Sequence, residues 1–306
     1  MELIKPGTTI NFVGVIKVAF LASLAAIIIS IASLVLHGGP NLGIDFAGGT
    51  MVQVKFKDKV TVDEIRKALA TVELGKSVIQ QFGYAADREF LIKTDRSSSE
   101  IKGLTGSINE ALGERFGDGN YEIRRVEVVG PKVGEDLRKK GFLAICYAMI
   151  GILIYITWRF ELRYALGAII ALVHDVTITV GIFSLLSKEF TLPIIAALLT
   201  IIGYSLNDTI VVFDRIRENV KKVKRQSLRE IVNASINETL SRTLLTAGTT
   251  LLVVAALFFL GGAVIHDFAF ALLIGIIVGT YSSIYIASPT ILTWERIWPS
   301  KTKRKG

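Results

Sequence analysis

Six stretches of the chain are apolar over a length that suits a bilayer, at residues 13–36, 141–158, 164–186, 191–213, 243–260 and 268–292. Crossing about 30 Å of hydrocarbon takes roughly 20 residues of α-helix, so each stretch predicts a transmembrane helix. Lys17 stands near one end of the first run, where its side chain can snorkel to the interface. That run leaves through His37, Gly38, Gly39 and Pro40 rather than through a small-residue cleavage site, which reads as an uncleaved anchor.

Between the first two runs the pattern changes to mixed charge of nearly balanced sign, the mark of a water-exposed domain of about a hundred residues. It spans residues 37–140. Alternation predicts strands at 51–56, 77–82, 88–94 and 121–129, and helical spacing predicts helices at 61–72, behind Thr61 as a candidate N-cap, and at 97–116. The order βαββαβ is that of the ferredoxin-like split βαβ fold, whose helices cover one sheet face and leave the other to a partner. A folded spacer would show the same pattern, because fold does not fix function.

Composition places the chain among membrane proteins, with 51% hydrophobic residues. The net charge of +8 does not argue for nucleic acid, because the basic excess sits in short segments beside the apolar runs and so reports orientation. Residues 159–163, 214–242 and the tail 301–305 fall on one face, which the positive-inside rule makes cytoplasmic. Both ends, 1–12 and 293–306, share that face, and the domain lies across the membrane, where ATP is absent. Within 214–242, Leu228, Ile231, Val232, Ile236 and Leu240 recur at helical spacing, predicting an amphipathic helix on the inner membrane surface or an ordinary solvated connector. Cys146 is the single cysteine and lies inside an apolar run, so it reads as a packing residue.

Asp208 is the costliest residue in this pattern. An aspartate at the centre of a membrane helix is unfavourable by roughly 2.5–3.5 kcal/mol, and one kept there usually faces a partner or a water path. Asp175 lies near the middle of the third run, and Arg242 stands where the fifth begins. Adjacent antiparallel helices would bring Arg242 to the depth of Asp208, where it could hold the carboxylate charged and be released on protonation. The competing readings are a structural hydrogen-bond partner for either aspartate and a snorkelling anchor for Arg242. His174 points about 100° away from Asp175 round the helix, which predicts a packing residue. Leu74, Gly75, Lys76 and Ser77 resemble the tail of a phosphate loop, but Ala70 stands where its first glycine belongs. A membrane aspartyl protease is disfavoured as well, because no Gly-x-Gly-Asp stretch accompanies either aspartate. Gly275 and Gly279, like Gly167, Ala168 and Ala171, provide small faces for close helix contact inside the chain.

Residues 43–50, Gly-Ile-Asp-Phe-Ala-Gly-Gly-Thr, resemble the signature that opens the extracytoplasmic domain in the SecD/SecF family of bacterial protein-export subunits. Residues 129–137, 173–176, 203–209, 214–219 and 240–243 resemble landmarks of the SecF branch in the same order, so the likeness covers nearly the whole chain. It implies a polytopic α-helical protein of six transmembrane helices, half of a resistance-nodulation-division bundle, with one ferredoxin-like domain between the first two. It also implies a proton relay of Asp208 with Arg242 as switching partner, a less firmly held role for Asp175, and a signature hinge at Gly43, Asp45, Gly48 and Gly49. The expected partners are SecD, the SecYEG channel, YajC, membrane lipid and the unfolded polypeptide in transit, in the bacterial inner membrane. The family is not enzymatic, and no cofactor or metal is expected; the coupling ion is H⁺, with Na⁺ the other candidate. A proton-driven transporter of small solutes and a non-energised structural subunit are the competing functions.

Overall fold

A short 3₁₀ turn at Val13–Val15 leads into helix α1, Ile16–Leu36, and the remaining long helices are α5 (Pro131–Arg159), α6 (Leu162–Leu185), α7 (Leu192–Lys222) and α8 (Leu228–Leu260). The sixth span is built from α9 (Ala263–Ser282), a π-helical turn (Ser283–Ala287) and α10 (Ser288–Ile297). This architecture comes from a computed structural model that describes residues 9–83, 85–94, 101–223 and 226–297. The expected basic tail 301–305 and the first residues of the helix expected from 97 lie outside the described residues. Among the described residues six helices are long and apolar enough to cross a membrane.

Burial in α1 runs against hydropathy. Ala19, Ser23, Ser30 and Ser33 face the protein, while Val18, Phe20, Leu21 and Leu36 are exposed. Lipid tails are as apolar as leucine, so membrane helices associate through close approach rather than through burying bulk. Small residues supply that approach. A Cβ added at Gly181 of α6 would lie 2.1 Å from Ser30 Cβ, and one at Gly275 of α9 would lie 2.3 Å from Ile201 of α7. Gly279 faces Ser205 of α7 in the same way, so the Gly275 and Gly279 pair serves packing within the chain.

The domain between α1 and α5 opens with a single helical turn, α2 (Ile44–Ala47). It then holds strands β1 (Gly49–Phe56), β2 (Val78–Phe82), β3 (Glu89–Thr94) and β4 (Tyr121–Val129), with helices α3 (Val62–Ala70) and α4 (Ile101–Phe116). Strand order is β2-β3-β1-β4 with every pairing antiparallel, the split βαβ arrangement. Val52, Val54, Phe56 and Ile92 of the sheet pack on Ile65, Leu69, Ile108 and Leu112 of the two helices. Thr61 caps α3 through a reciprocal box, its hydroxyl accepting from Glu64 N while Glu64 accepts from Thr61 N at 2.8 Å. The uncovered sheet face is not wholly free, because Lys93 of β3 is paired with Glu189 in the α6–α7 loop.

Two expectations about helix limits change. The helix that carries the second apolar run is longer than that run: α5 starts at Pro131, ten residues before residue 141, and its first turns lie beside α2 of the domain. Proline suits a first helical turn, where the missing N–H costs nothing. Nor is the segment 214–242 a separate helix on the membrane surface. Its halves continue α7 to Lys222 and begin α8 at Leu228, under a capping box of Ser227 and Glu230. Val232, Ile236 and Leu240 share one core with Ile216 of α7 and with Phe12 and Val13, and Ile231 is buried too. Their apolar stripe is satisfied by protein rather than lipid. Asn233 and Asn237 then bind the entering chain, with Ile10 N donating to Asn237 Oδ1 at 2.7 Å and Val13 N donating to Asn233 Oδ1 at 3.1 Å.

Candidate functional site

Asp208 sits in α7, sixteen residues beyond Leu192 at its start, a rise of about 24 Å. It is 9% exposed. Thr243 of α8 donates its hydroxyl to Asp208 Oδ1 at 2.7 Å, while Oδ2 is buried with no protein partner. Among the described residues no direct ion pair joins Asp208 to Arg242, which lies one position before Thr243 on α8 and is exposed. The reason is geometric. Successive helical positions diverge by about 100°, so turning Thr243 toward α7 turns Arg242 away from it.

Asp175 is fully buried in α6. Its Oδ2 accepts from Ser205 of α7 at 2.6 Å and from Ser282 of α9 at 2.8 Å. The 100° between His174 and Asp175, which left a contact between them open, does not keep them apart: His174 Nδ1 lies 2.9 Å from Asp175 Oδ1. The 100° between neighbouring Cβ directions is closed by side-chain rotamers, since both side chains lean back along the helix. The imidazole stacks on Tyr281 at 6.1 Å, and the Tyr281 hydroxyl donates to Ala19 O of α1 at 2.6 Å.

Further hydroxyl contacts lie along α7 near both aspartates. Ser205, which holds Asp175, precedes Asp208 by three positions on α7, just under one turn. Thr209 Oγ1 and Ser283 Oγ lie 2.8 Å apart, and Ser283 stands at the head of the π-helical turn in the sixth span. That turn adds one residue to the coil, so Ser282 and Ser283 present hydroxyls to Asp175 and to Thr209 respectively. Among the described residues no group of three His, Cys, Asp or Glu side chains could hold a metal ion.

The residues expected to form a hinge occupy the seam between domain and bundle. Asp45 Oδ2 accepts from Leu192 N at 2.8 Å, capping the open amide end of α7 from outside the helix. Gly43 N donates to Phe190 O at 2.9 Å, and a Cβ at Gly43 would stand 2.8 Å from Thr191 Cγ2. Gly48 has φ +78 and lies against the start of α5, where a Cβ would come within 2.9 Å of Pro131 Cα. Gly49 follows with φ +121. These are backbone shapes and clearances that favour glycine.

Sequence pattern alone did not single out Thr243, Ser205, Ser282, Ser283 or the π-helical turn. Hydroxyl residues are common in membrane helices, and periodicity does not say which neighbour they meet. Thr243 carried a weak signal, being beside Arg242 in a stretch already singled out.

Comparison with known proteins gives consistent matches along the chain. The family model for the C-terminal region of the protein export membrane proteins SecD/SecF matches residues 108–297, and the SecD/SecF GG motif matches residues 34–60. The protein translocase subunit SecF of Magnetococcus marinus is 52% identical over 96% of this chain and 95% of its own length. The SecF subunit of Vibrio alginolyticus is 47% identical over 100% of this chain and 97% of its own. The crystal structure of SecDF from Thermus thermophilus, a translocon-associated membrane protein, superposes with TM-score 0.85 at 41% identity. It covers 97% of this chain, and this chain spans 40% of that longer one. SecDF in its super-membrane-facing form matches over the same extent with TM-score 0.68.

Proposed function

The chain belongs to the SecF branch of the SecD/SecF protein-export family, a multi-pass subunit of the protein translocase, and on that footing we propose that it converts proton flow through Asp208 into motion of its extracytoplasmic domain. The observation that carries this reading is the lopsided bonding of Asp208. One oxygen is fixed by Thr243, and the other is buried and open to a proton. A buried carboxylate kept with a spare acceptor oxygen in a membrane helix is a functional site before it is a structural one.

In its ionised form the carboxylate would draw Arg242 to it, and protonation would release the arginine and leave Thr243 as the partner. Arg242, one position along α8, needs a turn of at most about 100° to replace Thr243 at the carboxylate, and its long side chain shortens that turn. Helix α8 is thus the bistable element, presenting Thr243 in one state and Arg242 in the other. An aspartate of a SecD partner, on the exposed side of α8, would complete the cluster. The motion has a path outward, because α7 is one continuous helix from Asp208 to its Asp45-capped end at the domain seam. Two SecDF structures, one of them described as a super-membrane-facing form, match this chain with TM-scores of 0.85 and 0.68 at the same 41% identity, a difference in shape that supports a movable bundle and domain.

Energetics ask for more than one proton. A charge crossing the membrane gains about 2.3 kcal/mol per 100 mV, so one proton at ~150 mV supplies about 3.5 kcal/mol. Inverting a two-state equilibrium from 1:99 to 99:1 takes ~5.5 kcal/mol. Asp175 is the second carboxylate on hand. The expected setting is the bacterial inner membrane, with both ends cytoplasmic and SecD, the SecYEG channel and YajC as neighbours of the polypeptide in transit. The test is gradient-driven translocation in vesicles that carry the assembled complex: Asp208→Asn should abolish the gradient-dependent part while assembly stays intact. Full gradient-driven activity in that variant would return the chain to a structural role.

A further inference from the structure

The relay through Asp208 leaves a buried histidine unused. His174 is 3% exposed, bonds Asp175 through Nδ1, and has its other ring nitrogen, Nε2, buried without a protein partner. The hydrogen-bond pattern suits one resting arrangement. Asp175 faces three donors, the hydroxyls of Ser205 and Ser282 and the imidazole Nδ1, which together suit an ionised carboxylate that only accepts. A neutral imidazole donating from Nδ1 must carry its lone pair on Nε2.

We propose that His174 and Asp175 form the second proton-carrying site of the bundle, with Nε2 of His174, rather than the Asp175 carboxyl, as the atom that takes the proton. The inference rests on the proton-driven reading of Asp208 and supplies its second proton. A proton arriving at Nε2 makes an imidazolium whose Nδ1–H still donates to Asp175, so the pair passes from one negative charge to none without breaking a bond. A proton on the carboxyl instead would have to donate to Nδ1 of the other imidazole tautomer, whose Nε2–H would then be a buried donor without a protein partner. The groups around the ring are Asp175 on its own helix and Tyr281 of α9 stacked on it, with Ser23 of α1 bonded to the Tyr281 hydroxyl at 3.0 Å. Among the described residues, Asp175 is the charged side chain that bonds the imidazole. Asp208 of α7 is held by Thr243 of α8 instead.

The change is placed to be felt by three helices. Ser205 and Ser282 tie Asp175 to α7 and α9, and Tyr281 ties the ring to α1 through Ala19 O. Asp175 therefore acts as a positioning residue that holds the imidazole tautomer and reports its charge to the helix carrying Asp208.

Nitrogen-15 NMR of histidine-labelled full chain, in the assembled complex with His37 and His266 replaced, reads the site directly. The expected result is that Nε2 of His174 gains a proton between pH 9 and pH 5 while Nδ1 stays protonated, and that Asp175→Asn displaces this transition. In vesicles, His174→Gln should remove a step from the external-pH profile of gradient-driven translocation and leave voltage-driven movement through Asp208 measurable. A His174 that keeps one neutral tautomer from pH 5 to pH 9, or a His174→Gln profile identical to the parent, overturns the inference. Asp208→Asn in the same vesicles separates the cases: its loss of coupling beside an unchanged His174→Gln profile refutes the histidine site alone.

Discussion

Thr243 of α8 donates a 2.7 Å hydrogen bond to Asp208 of α7, and among the described residues the adjacent, exposed Arg242 makes no ion pair with that carboxylate. The neutral donor found at this site and the cation expected there are neighbouring residues of one helix. A threonine hydroxyl can release the carboxylate at modest cost, since a hydrogen bond to a charged group is worth about 1.5–3 kcal/mol.

Thr243→Val keeps the shape of the side chain and removes the donor. Gradient-driven translocation should fall about tenfold or more, in line with a loss of at least ~1.5 kcal/mol at the site, and Thr243→Ser should restore most of it. Rates measured in vesicles across a fixed gradient check this; equal rates for valine and serine would show that the hydroxyl has no part.

Asp45 links the domain signature to the helix that carries Asp208. Asp45→Ala should release the Leu192 amide, at a cost of about 1 kcal/mol, and raise its hydrogen-exchange rate while leaving the sheet domain folded. Asp45→Asn, which still accepts, should behave close to the parent. Protection at Leu192 that does not change in Asp45→Ala would mean that the cap plays no role at the seam.

Packing of α7 on α9 depends on Gly275, where an added Cβ would fall 2.3 Å from Ile201. Gly275→Ala should lower thermal stability by about 1–3 kcal/mol, the usual cost of overpacking. Gly151, where an added Cβ would meet nothing within 4 Å, should accept alanine without loss. Melting of the two variants in the same detergent gives the comparison.

In the sheet domain, hydrogen bonds from the Thr61 backbone and hydroxyl hold the Glu64 carboxyl below its ordinary value of 4.5. A carboxyl lowered in the folded state contributes stability that is present above its unfolded value and lost as pH falls through the folded one. Amide protection in the first turn of α3 should therefore decline only below about pH 4.5, and Thr61→Ala should flatten that dependence. Exchange measured from pH 6 to pH 3 tests the sign.

How much of this was legible in the sequence differs by element. The six spans could be read because hydrocarbon demands long uninterrupted apolar runs, and the sheet domain because strands and helices there alternate with different periods. The limits of α5, α7 and α8 could not, since Pro131, Lys222 and Leu228 extend helices through polar residues that find partners only in three dimensions. Asn233 and Asn237 read as the polar face of a surface helix, yet they bind the backbone at Ile10 and Val13, more than two hundred residues earlier. Asp208 and Asp175 stood out by the cost of their position, whereas Thr243, Ser205 and Ser282 carry no such cost and became visible only through the oxygens they meet. Asp45 was marked by family resemblance alone; no periodicity connects it with Leu192.

The most direct measurement is proton uptake coupled to translocation in sealed vesicles holding the complete complex, compared between the parent chain and Asp208→Asn. The account predicts that the aspartate carries the coupling: the variant should assemble normally, take up no protons during translocation and lose all acceleration by an imposed gradient. Undiminished uptake and acceleration in Asp208→Asn would contradict it.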